Sequence, residues 1–386
     1  MRILTFLHSF EPGGVERTAL RLVRQWRAQG VDAPLFIGRT DGAMRHELGS
    51  GLACHVPRPP RFSVARFETL WMIVTLPALI RRLRPDILFC AGNSYAVVAV
   101  AMKLLLGRAC PPVLAKISND LERRAMWWPT RLLYRLWLLI QGRFIDHFVA
   151  MAPDVEQEIA SFIRPRGGIS VIPSPALSHD KIERLRAAGS GAVERYGSGR
   201  RFIAIGRLAR QKNYPLMLHA FAAGAGADDR LLIVGEGTER RALTALAGHL
   251  GIAERVVFAG HVPDAAATLR AGDILLLSSD FEGVPAVILE ALAAGVPIIA
   301  TDCSRAMHSV LRDGALGRLV PTGDVGAFAQ AIAGAGALVQ DPAASLTQAR
   351  CFTLEHVSGR YLDTFASLQA APSLRQPTRF TMTSTT

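Results

Sequence analysis

Two glutamates with seven residues between them are the first candidates for chemistry in this sequence. Glu282 and Glu290 lie in a segment that reads DFEGVPAVILEALAAGVPIIAT over residues 280–301, where the chain turns into a predicted helix that opens near Pro285. Proline suits the first helical position, and the free N–H groups at a helix N-terminus attract anions. Glu290 has apolar neighbours, so its carboxylate needs a good partner, and two vicinal hydroxyls, as on a ribose, would satisfy both oxygens. A solvated glutamate on the outer face of the helix is the alternative.

Cations and glycines follow two other predicted strands. The stretch GRLARQKN over 206–213 places Arg207 and Lys212 just beyond a strand, where two cations suit a diphosphate. The first strand of the chain is followed by Gly13 and Gly14, and the backbone N–H at Gly14 could approach a phosphate without a Cβ in the way. Taken alone, the two cations could be surface charges and the glycines an ordinary turn.

The elements that must position these residues alternate along the chain. Short aliphatic runs and helix-length amphipathic segments follow one another almost from end to end, which is typical of a parallel sheet covered by helices. In the first half, helices are predicted at 15–29, 67–83 and 130–140, and strands at 3–8, 34–37, 52–56, 87–90, 113–117, 147–150 and 169–172. In the second half, strands are predicted at 202–206, 231–234, 256–259, 274–278, 298–301 and 317–320.

We therefore expect an α/β protein with two Rossmann-like, doubly wound parallel-sheet domains. The predicted segments are an N-terminal domain at 1–175, a linker at 176–199 with a short helix near 181–188, a C-terminal domain at 200–345, a C-terminal helix at 346–370 that packs back on the first domain, and a disordered tail at 371–386. Open sheets bind ligands beyond the carboxyl ends of their strands, so the expected site is the cleft between the domains.

A series of short motifs, densest from Gly206 to Asp324, resembles one known family. The motifs are GGVER at 13–17, GRLARQKN at 206–213, IVGEG at 233–237, FAGHVPD at 258–264, the glutamate pair, TDC at 301–303 and GRLVPTGD at 317–324. Each motif alone is weakly specific. Their order and spacing resemble the retaining, nucleotide-sugar-dependent glycosyltransferases of family four, which implies the GT-B fold of two Rossmann-like domains facing a central cleft.

The resemblance implies a role for each matching residue. Arg207 and Lys212 would hold the donor diphosphate and stabilise the leaving nucleotide, Glu282 would contact the donor sugar near the reacting carbon, and Glu290 would bind the ribose hydroxyls. The other implied donor-binding residues are Gly14, Gly235, Gly237, His261, Val262, Gly283, Val284 and Pro285. Such enzymes form an oxocarbenium-like transition state, so stabilising the charge of the leaving group is the main catalytic term.

The same resemblance implies the substrates. The C-terminal domain would bind a UDP-sugar or GDP-sugar as co-substrate, and the N-terminal domain would receive a glycan or lipid-linked acceptor. We therefore expect a hexosyltransferase of cell-surface polysaccharide or glycolipid synthesis that retains the anomeric configuration. No Asp-x-Asp motif occurs in the sequence, so we do not expect a catalytic metal. Apart from the nucleotide-sugar co-substrate, we expect no cofactor.

Two segments depart from the family pattern. Many relatives place a histidine after the fifth strand of the first domain, where this chain has Ser118 and Asn119. We expect these two residues to face the acceptor or donor sugar, and a helix cap is the alternative. After the TDC motif, relatives often have a glycine-rich stretch that ends in Glu, whereas this chain reads SRAMH over 304–308.

The positive charge of the chain is concentrated in one segment. The formal net charge is +12, and residues 58–143 hold 14 basic against 4 acidic side chains. Tryptophans and leucines alternate with arginines there over 123–137, which is the pattern of an interfacial helix on an anionic membrane. The alternative is that Leu133, Leu136 and Trp137 are core residues of a Rossmann-like helix with a solvated basic rim.

Location and partners follow from these patterns. The five cysteines have no spacing typical of disulfides or a zinc site, and the longest apolar runs fall short of the ~20 residues that cross a bilayer. We therefore expect a cytoplasmic protein that is peripheral on the inner face of the plasma membrane.

Three other classes compete with the transferase. A basic protein that binds nucleic acid or only a membrane would leave the two glutamates unexplained, and no nucleic-acid-binding motif occurs, so we expect no nucleic-acid partner. A nicotinamide-dependent dehydrogenase is disfavoured because Gly13 and Gly14 replace a Gly-x-Gly-x-x-Gly pattern. A sugar-nucleotide 2-epimerase on the same fold would share the diphosphate site but not the motif series from Gly206 onward.

Overall fold

The structure of the chain, a computed structural model, describes residues 1–11, 13–42, 44–47, 51–58, 67–117, 121, 127–189, 199–338 and 340–370. Its internal contacts divide the chain into two units. Unit 1 comprises residues 1–151, 155–172 and 358 onward, and unit 2 comprises residues 152–154 and 173–357. The predicted tail at 371–386 and the predicted sugar-facing residues Ser118 and Asn119 lie outside the described residues.

Unit 1 is built on a seven-stranded parallel sheet. Its strands are β1 (Ile3–Leu7), β2 (Leu35–Ile37), β3 (Cys54–His55), β4 (Ile87–Cys90), β5 (Val113–Lys116), β6 (His147–Ala150) and β7 (Gly168–Val171). They lie in the order β3-β2-β1-β4-β5-β6-β7. The helices are α1 (Gly14–Ala28), α2 (Met44–Glu47), α3 (Glu68–Leu83), α4 (Ala96–Leu106), α5 (Trp128–Phe144) and α6 (Pro153–Glu158). The central strands are buried on both faces, which is why they read as continuous apolar runs.

Unit 2 repeats this plan with six parallel strands. They are β8 (Arg201–Ile205), β9 (Arg230–Val234), β10 (Val256–Gly260), β11 (Asp273–Leu277), β12 (Ile298–Thr301) and β13 (Arg318–Val320), in the order β10-β9-β8-β11-β12-β13. The helices are α7 (His179–Gly189), α8 (Tyr214–Gly224), α9 (Arg240–His249), α10 (Ala286–Ala294), α11 (Ala306–Val310), α12 (Val325–Ala333), α13 (Pro342–Arg350) and α14 (Leu354–Ala370), which continues into unit 1. Apolar clusters form on both faces of the sheet.

The strand order reverses once in each sheet. In unit 1 the reversal lies between β1 and β4, and in unit 2 it lies between β8 and β11. The loops that leave two such strands turn to opposite sides, which opens a crevice beyond their carboxyl ends. The fold thus places the segments 206–213 and 279–285 on either side of one crevice.

Helix α14 is held in unit 1 by aromatic packing. The rings of Tyr361 and Phe365 contact Trp26 and Phe89 edge to face at centroid distances of 5.4–6.1 Å. All four side chains are buried, so each contributes a large apolar area to the core of this unit.

The strands predicted from the sequence are confirmed to within two residues at each end, and the doubly wound class is confirmed with them. Two predictions need correction. The short helix of the predicted linker is α7, and it is part of unit 2 because Ile182 and Leu185 bury their side chains against α10. The predicted C-terminal helix at 346–370 is parts of two helices, because α13 ends at Arg350 and α14 begins at Leu354. Thr353 lies between them, and its hydroxyl accepts from the N–H of His356 at 3.3 Å in the first turn of α14.

Candidate active site

An ion pair spans the crevice of unit 2. Lys212 Nζ lies 2.5 Å from Glu282 Oε1, and the two side chains are 20 % and 13 % exposed. The hydroxyl of Ser279 donates to the same carboxylate oxygen at 3.0 Å, and the backbone N–H of Glu282 donates to the carbonyl of Cys303 at 3.1 Å. The pair therefore joins the loop after β8 to the loop after β11 where the strand order reverses.

Further hydrogen bonds fasten these two loops together. Gln211 Nε2 donates to the carbonyl of Phe281 at 2.8 Å, and the N–H of Asp280 donates back to the carbonyl of Gln211 at 2.9 Å. Asn213 Nδ2 donates to Asp280 Oδ1 at 2.7 Å. Asn213 has φ +43°, a left-handed conformation that asparagine tolerates better than most residues. The loops thus form one platform rather than two independent segments.

Arg207 and Tyr214 lie on either side of Lys212 in the sequence and differ in environment. The Arg207 side chain is exposed, and among the described residues its guanidinium makes no hydrogen bond. The Tyr214 hydroxyl donates to the carbonyl of Gly206 at 3.1 Å. Burial, followed by the charge of Glu282, raises the pKa of Tyr214 well above its usual value, so this hydroxyl stays protonated and holds the end of β8 in place.

Two glycines after β9 bring a second loop close to the same strand end. Gly235 has φ +149°, and a Cβ on it would lie 2.0 Å from the carbonyl oxygen of Gly206. A Cβ on Gly237 would lie 2.2 Å from the carbonyl oxygen of Leu208. The close approach of the two backbones therefore requires glycine at both positions. This steric cause does not depend on a ligand, and the role predicted for these glycines beside the donor remains a prediction.

The remaining residues predicted at the donor site lie at the same edge of the sheet. His261 is exposed and Val262 half-buried just after β10, while Gly283, Val284 and Pro285 lead from β11 into α10. Pro285 is the residue just before the first turn of α10 rather than within it. Because the strands are parallel, the carboxyl ends of β8, β9, β10 and β11 gather these residues at one edge, as the sequence predicted.

Glu290 is not a solvated surface glutamate. Its side chain is 12 % exposed on α10, and its carboxylate pairs with Lys181 Nζ of α7. Sequence reasoning predicted that this carboxylate needs a partner but missed Lys181, which lies 109 positions away in a segment predicted as linker. No signal in the sequence connects these two residues.

Gly14 belongs to unit 1, whereas the other residues predicted to bind the donor belong to unit 2. Its contact with the donor therefore remains a prediction. Gly14 is the exposed first residue of α1, and a Cβ there would meet nothing within 4 Å. A Cβ at Gly13 would be 2.0 Å from Glu16 Oε2, so a larger residue there would require the Glu16 side chain to move. Glu16 is fixed in turn by Tyr95, whose hydroxyl donates to Glu16 Oε1 at 2.6 Å. Sequence reasoning missed this bond across the strand reversal of unit 1.

The segment that departs from the family pattern after β12 supports the same platform. The hydroxyl of Ser304 donates to the carbonyl of Gly283 at 2.7 Å. The ring of His308 lies between two carboxylates, with Nε2 at 3.0 Å from Asp302 and Nδ1 at 3.3 Å from Asp313. The hydrogen bond with Asp302 is the main reason that the pKa of His308 is raised.

The assembled residues have the chemistry of an anion site with a carboxylate beside it. Arg207 and Lys212 supply positive charge, the exposed backbone at Gly283 precedes a helix N-terminus, and Glu282 can accept hydroxyl hydrogen bonds. Within the described ranges, no group of three His, Cys, Asp or Glu side chains is arranged to hold a metal ion.

Comparisons with known families decide the class. Residues 12–176 match the family model described as Glycosyltransferase Family 4, and residues 199–336 match the model described as Glycosyl transferases group 1. The chain belongs to the family-four glycosyltransferases. Of the classes weighed on the sequence, this assignment selects the transferase over the epimerase, the dehydrogenase and a basic binding protein.

Individual relatives of this glycosyltransferase extend over most of the chain. It is 26 % identical over 329 residues to the lipopolysaccharide core biosynthesis glycosyltransferase LpsE of Rhizobium meliloti, covering 85 % of this chain and 87 % of that one. It is 26 % identical over 326 residues to the lipopolysaccharide 1,6-galactosyltransferase of Escherichia coli, covering 82 % and 83 %. The structure of Anabaena HepE in complex with UDP matches with a TM-score of 0.70 at 20 % identity, covering 95 % of this chain and all of that one. The glycosyltransferase therefore has the GT-B fold.

The Gly235 turn gives a direct test of the site's backbone. We expect Gly235→Ala to lower the free energy of unfolding by about 2 kcal/mol or more, because the new Cβ meets the Gly206 carbonyl in a conformation that disfavours alanine. Nucleotide binding should fall with it. Urea unfolding followed by circular dichroism measures the first effect, and calorimetric titration measures the second.

Gly248→Ala is the matched control. Gly248 lies in α9, a Cβ there meets nothing within 4 Å, and alanine is the better helix former, so this change should leave stability equal or higher by up to about 1 kcal/mol. Equal tolerance of both substitutions would contradict the role given to Gly235.

Proposed function

We propose that this glycosyltransferase moves a hexose from a UDP-sugar or GDP-sugar to a glycan or lipid-linked acceptor, with retention of the anomeric configuration. The product would enter cell-surface polysaccharide or glycolipid synthesis. The observation that carries the proposal is the Lys212–Glu282 ion pair across the β8/β11 crevice, beside the exposed cation of Arg207.

The relatives support the choice of donor and acceptor. Two curated relatives that match along most of the chain are named for lipopolysaccharide synthesis, and a protein of the same fold was solved with UDP. A relative from Mycolicibacterium smegmatis, 32 % identical over 209 residues, is named as dependent on GDP-mannose. One of these proteins was thus solved with UDP and another is named for a GDP-sugar, so the proposal includes both uracil and guanine as the base of the donor.

The proposed reaction breaks one bond and forms another at the same carbon. The bond between the anomeric carbon and the β-phosphate oxygen breaks, and the acceptor hydroxyl oxygen bonds to that carbon from the face that the phosphate leaves. The hydroxyl proton passes to the departing phosphate oxygen. Negative charge therefore develops on the diphosphate, where Arg207 and Lys212 would stabilise it without a metal ion.

Glu282 and Glu290 would orient the donor at its two ends. Glu282 is held by Lys212 and Ser279 through one oxygen, Oε1, so its other oxygen can accept from a sugar hydroxyl near the reacting carbon. Glu290 lies on α10 and would accept from the ribose hydroxyls. The base would lie by Gly235, Gly237, His261 and Val262, where the loops after β9 and β10 meet.

The donor proposal is tested by ligand stabilisation and by one pair of variants. UDP or GDP should raise the melting temperature, by an amount equivalent to about 2.7 kcal/mol when the ligand is at 100 times its Kd, whereas NAD should not. Lys212→Ala should reduce kcat/KM by about 100-fold or more, because it removes a charge that stabilises the leaving group.

Arg210→Ala is the control for Lys212→Ala. Arg210 is an exposed cation in the same short turn, and it is not among the residues that we assign to the donor. This variant should keep its activity within a few fold. Absence of any shift with UDP and GDP at millimolar concentration, or full activity of Lys212→Ala, would contradict the proposal.

We further propose that unit 1 rests on an anionic membrane surface, as a peripheral protein on the inner leaflet. Among the described residues, no helix is both long and apolar enough to cross a bilayer. Helix α5 instead exposes an apolar stripe to solvent, formed by Trp128, Leu132, Leu133, Leu136 and Leu139.

The exposure of α5 favours the interfacial interpretation over the core alternative. Leu133 is 67 % and Leu136 is 55 % exposed, whereas Trp137 is half-buried. The exposed side chains of Arg131 and Arg135 flank the stripe, where they would meet anionic headgroups. The other two arginines of the 123–137 pattern, Arg123 and Arg124, lie outside the described residues.

The neighbouring helices extend the same surface. Helix α4 packs against both α3 and α5, and the three helices with the residues just before them hold twelve of the seventeen large apolar side chains that are exposed among the described residues. They are Phe67, Leu70, Val74, Val97, Leu104, Leu105, Trp127, Trp128, Leu132, Leu133, Leu136 and Leu139. Apolar groups exposed on one side of a unit mark an interaction surface.

Flotation with vesicles of phosphatidylglycerol and phosphatidylcholine tests this proposal. Arg131→Glu with Arg135→Glu should weaken binding by at least about 30-fold, because each cation near an anionic surface contributes about 1 kcal/mol. Leu132→Ser with Leu136→Ser should weaken it as well. The control is Arg241→Glu with Val257→Ser, which makes the same kinds of change at exposed positions of unit 2. Unchanged flotation of both test variants would contradict membrane binding. So would variants that lose self-association of the protein but keep their binding to vesicles.

A further inference from the structure

Helix α7 packs closely enough on α10 for Lys181 to form an ion pair with Glu290. Ile182 and Leu185 of α7 are buried against α10, and a Cβ on Gly189 would lie 1.9 Å from the carbonyl oxygen of Ala294. The Lys181 ammonium reaches the Glu290 carboxylate across this contact and pairs with Oε1. The close packing of the helix backbones fixes the geometry of the pair.

The backbone of Lys181 is itself held at the start of α7. The hydroxyl of Ser178 accepts from the N–H of Lys181 at 3.2 Å, as an N-capping serine does. The N–H of His179 donates to Glu355 Oε2 at 3.3 Å, and the N–H of Leu354 donates to the carbonyl of Leu177 at 2.9 Å. These bonds tie the first turn of α7 to the segment that begins α14, so Lys181 is presented from a fixed helix terminus.

A lysine in the first turn of α7 does not stabilise this helix. The N-terminus of a helix carries partial positive charge, so a cation in the first turn is unfavourable. The favourable term for Lys181 is its pairing with Glu290, whose side chain is largely buried. A buried carboxylate without a partner would be strongly unfavourable.

We propose that Lys181 is a positioning residue for the nucleotide ribose: it holds Glu290 through Oε1 and leaves Oε2 to accept from the ribose hydroxyls. This inference rests on the proposed function, because it takes Glu290 as the ribose contact. Among the described residues, the Glu290 carboxylate has no other hydrogen-bond partner, so its second oxygen is available to a ligand. A carboxylate fixed before the ligand arrives binds more tightly than one that must be ordered by it.

The test compares a ribonucleoside diphosphate with its 2′,3′-dideoxy analogue. In the wild type, calorimetry with UDP or GDP should give a Kd at least about 10-fold lower than that of the dideoxy form. Lys181→Met should raise the Kd of the ribonucleotide by about 10-fold and leave that of the dideoxy form unchanged. With the donor sugar, KM should rise to a similar extent, while kcat at saturation stays within twofold.

Three further variants separate positioning from a structural role. Lys181→Arg should restore most of the ribose preference, because arginine also pairs with a carboxylate. Glu290→Ala should abolish the preference, and adding Lys181→Met to it should cause no further loss. Arg184→Met removes an exposed cation from the same helix and should change neither Kd.

Each contrary outcome has a distinct meaning. If Lys181→Met weakens both nucleotides equally, or keeps the full ribose preference while Glu290→Ala loses it, the positioning role of Lys181 is wrong and the donor proposal stands. If the wild type binds both nucleotides equally, the assignment of Glu290 fails and that of Lys181 fails with it. If the wild type binds no nucleotide, the proposed function itself fails.

Discussion

The reversal of strand order between β8 and β11 is the constraint on which the site of unit 2 depends. Loops that leave two parallel strands on either side of a reversal diverge and open a crevice, and a crevice needs something to set its width. Here the Lys212–Glu282 ion pair spans it, and the hydrogen bonds between Gln211, Phe281 and Asp280 fasten the loops below the pair. The same side chains that define the crevice are those with the chemistry to bind a diphosphate and a sugar, so one set of contacts serves both structure and the proposed reaction.

A second ion pair fixes the other end of the proposed donor site. Lys181 and Glu290 join α7 to α10, and α7 begins soon after the chain enters unit 2 at residue 173. The chain enters the 173–357 part of unit 2 and leaves it at segments that are held together, since Leu177 and Thr353 pair as an isolated parallel bridge. The proposed ribose contact is therefore supported by the part of unit 2 from which the chain continues to unit 1.

Much of this could be predicted from the sequence, and the failures have physical causes. Buried parallel strands are continuous apolar runs, so all thirteen were placed within two residues. Parallel strands bring the motifs that follow them to one edge of the sheet, so the sequence also predicted which segments of unit 2 lie together there. The partner of Glu290 could not be predicted because it depends on how closely α7 packs on α10, and the Pro- and Gly-rich stretch around Lys181 favoured a linker. Gly235 likewise owes its identity to the backbone carbonyl of Gly206, which is distant in sequence. For α5 the pattern left an interfacial and a core interpretation open, because a sequence does not show which apolar side chains find a partner.

Hydrogen–deuterium exchange with and without UDP or GDP tests the central claim most directly, since it reports where a nucleotide binds along the whole chain. The account predicts slower exchange in residues 206–213, 234–239 and 279–290, where the loops after β8, β9 and β11 would contact the donor. Slower exchange confined to the basic segment 58–143, or no change with either nucleotide at saturating concentration, would contradict it.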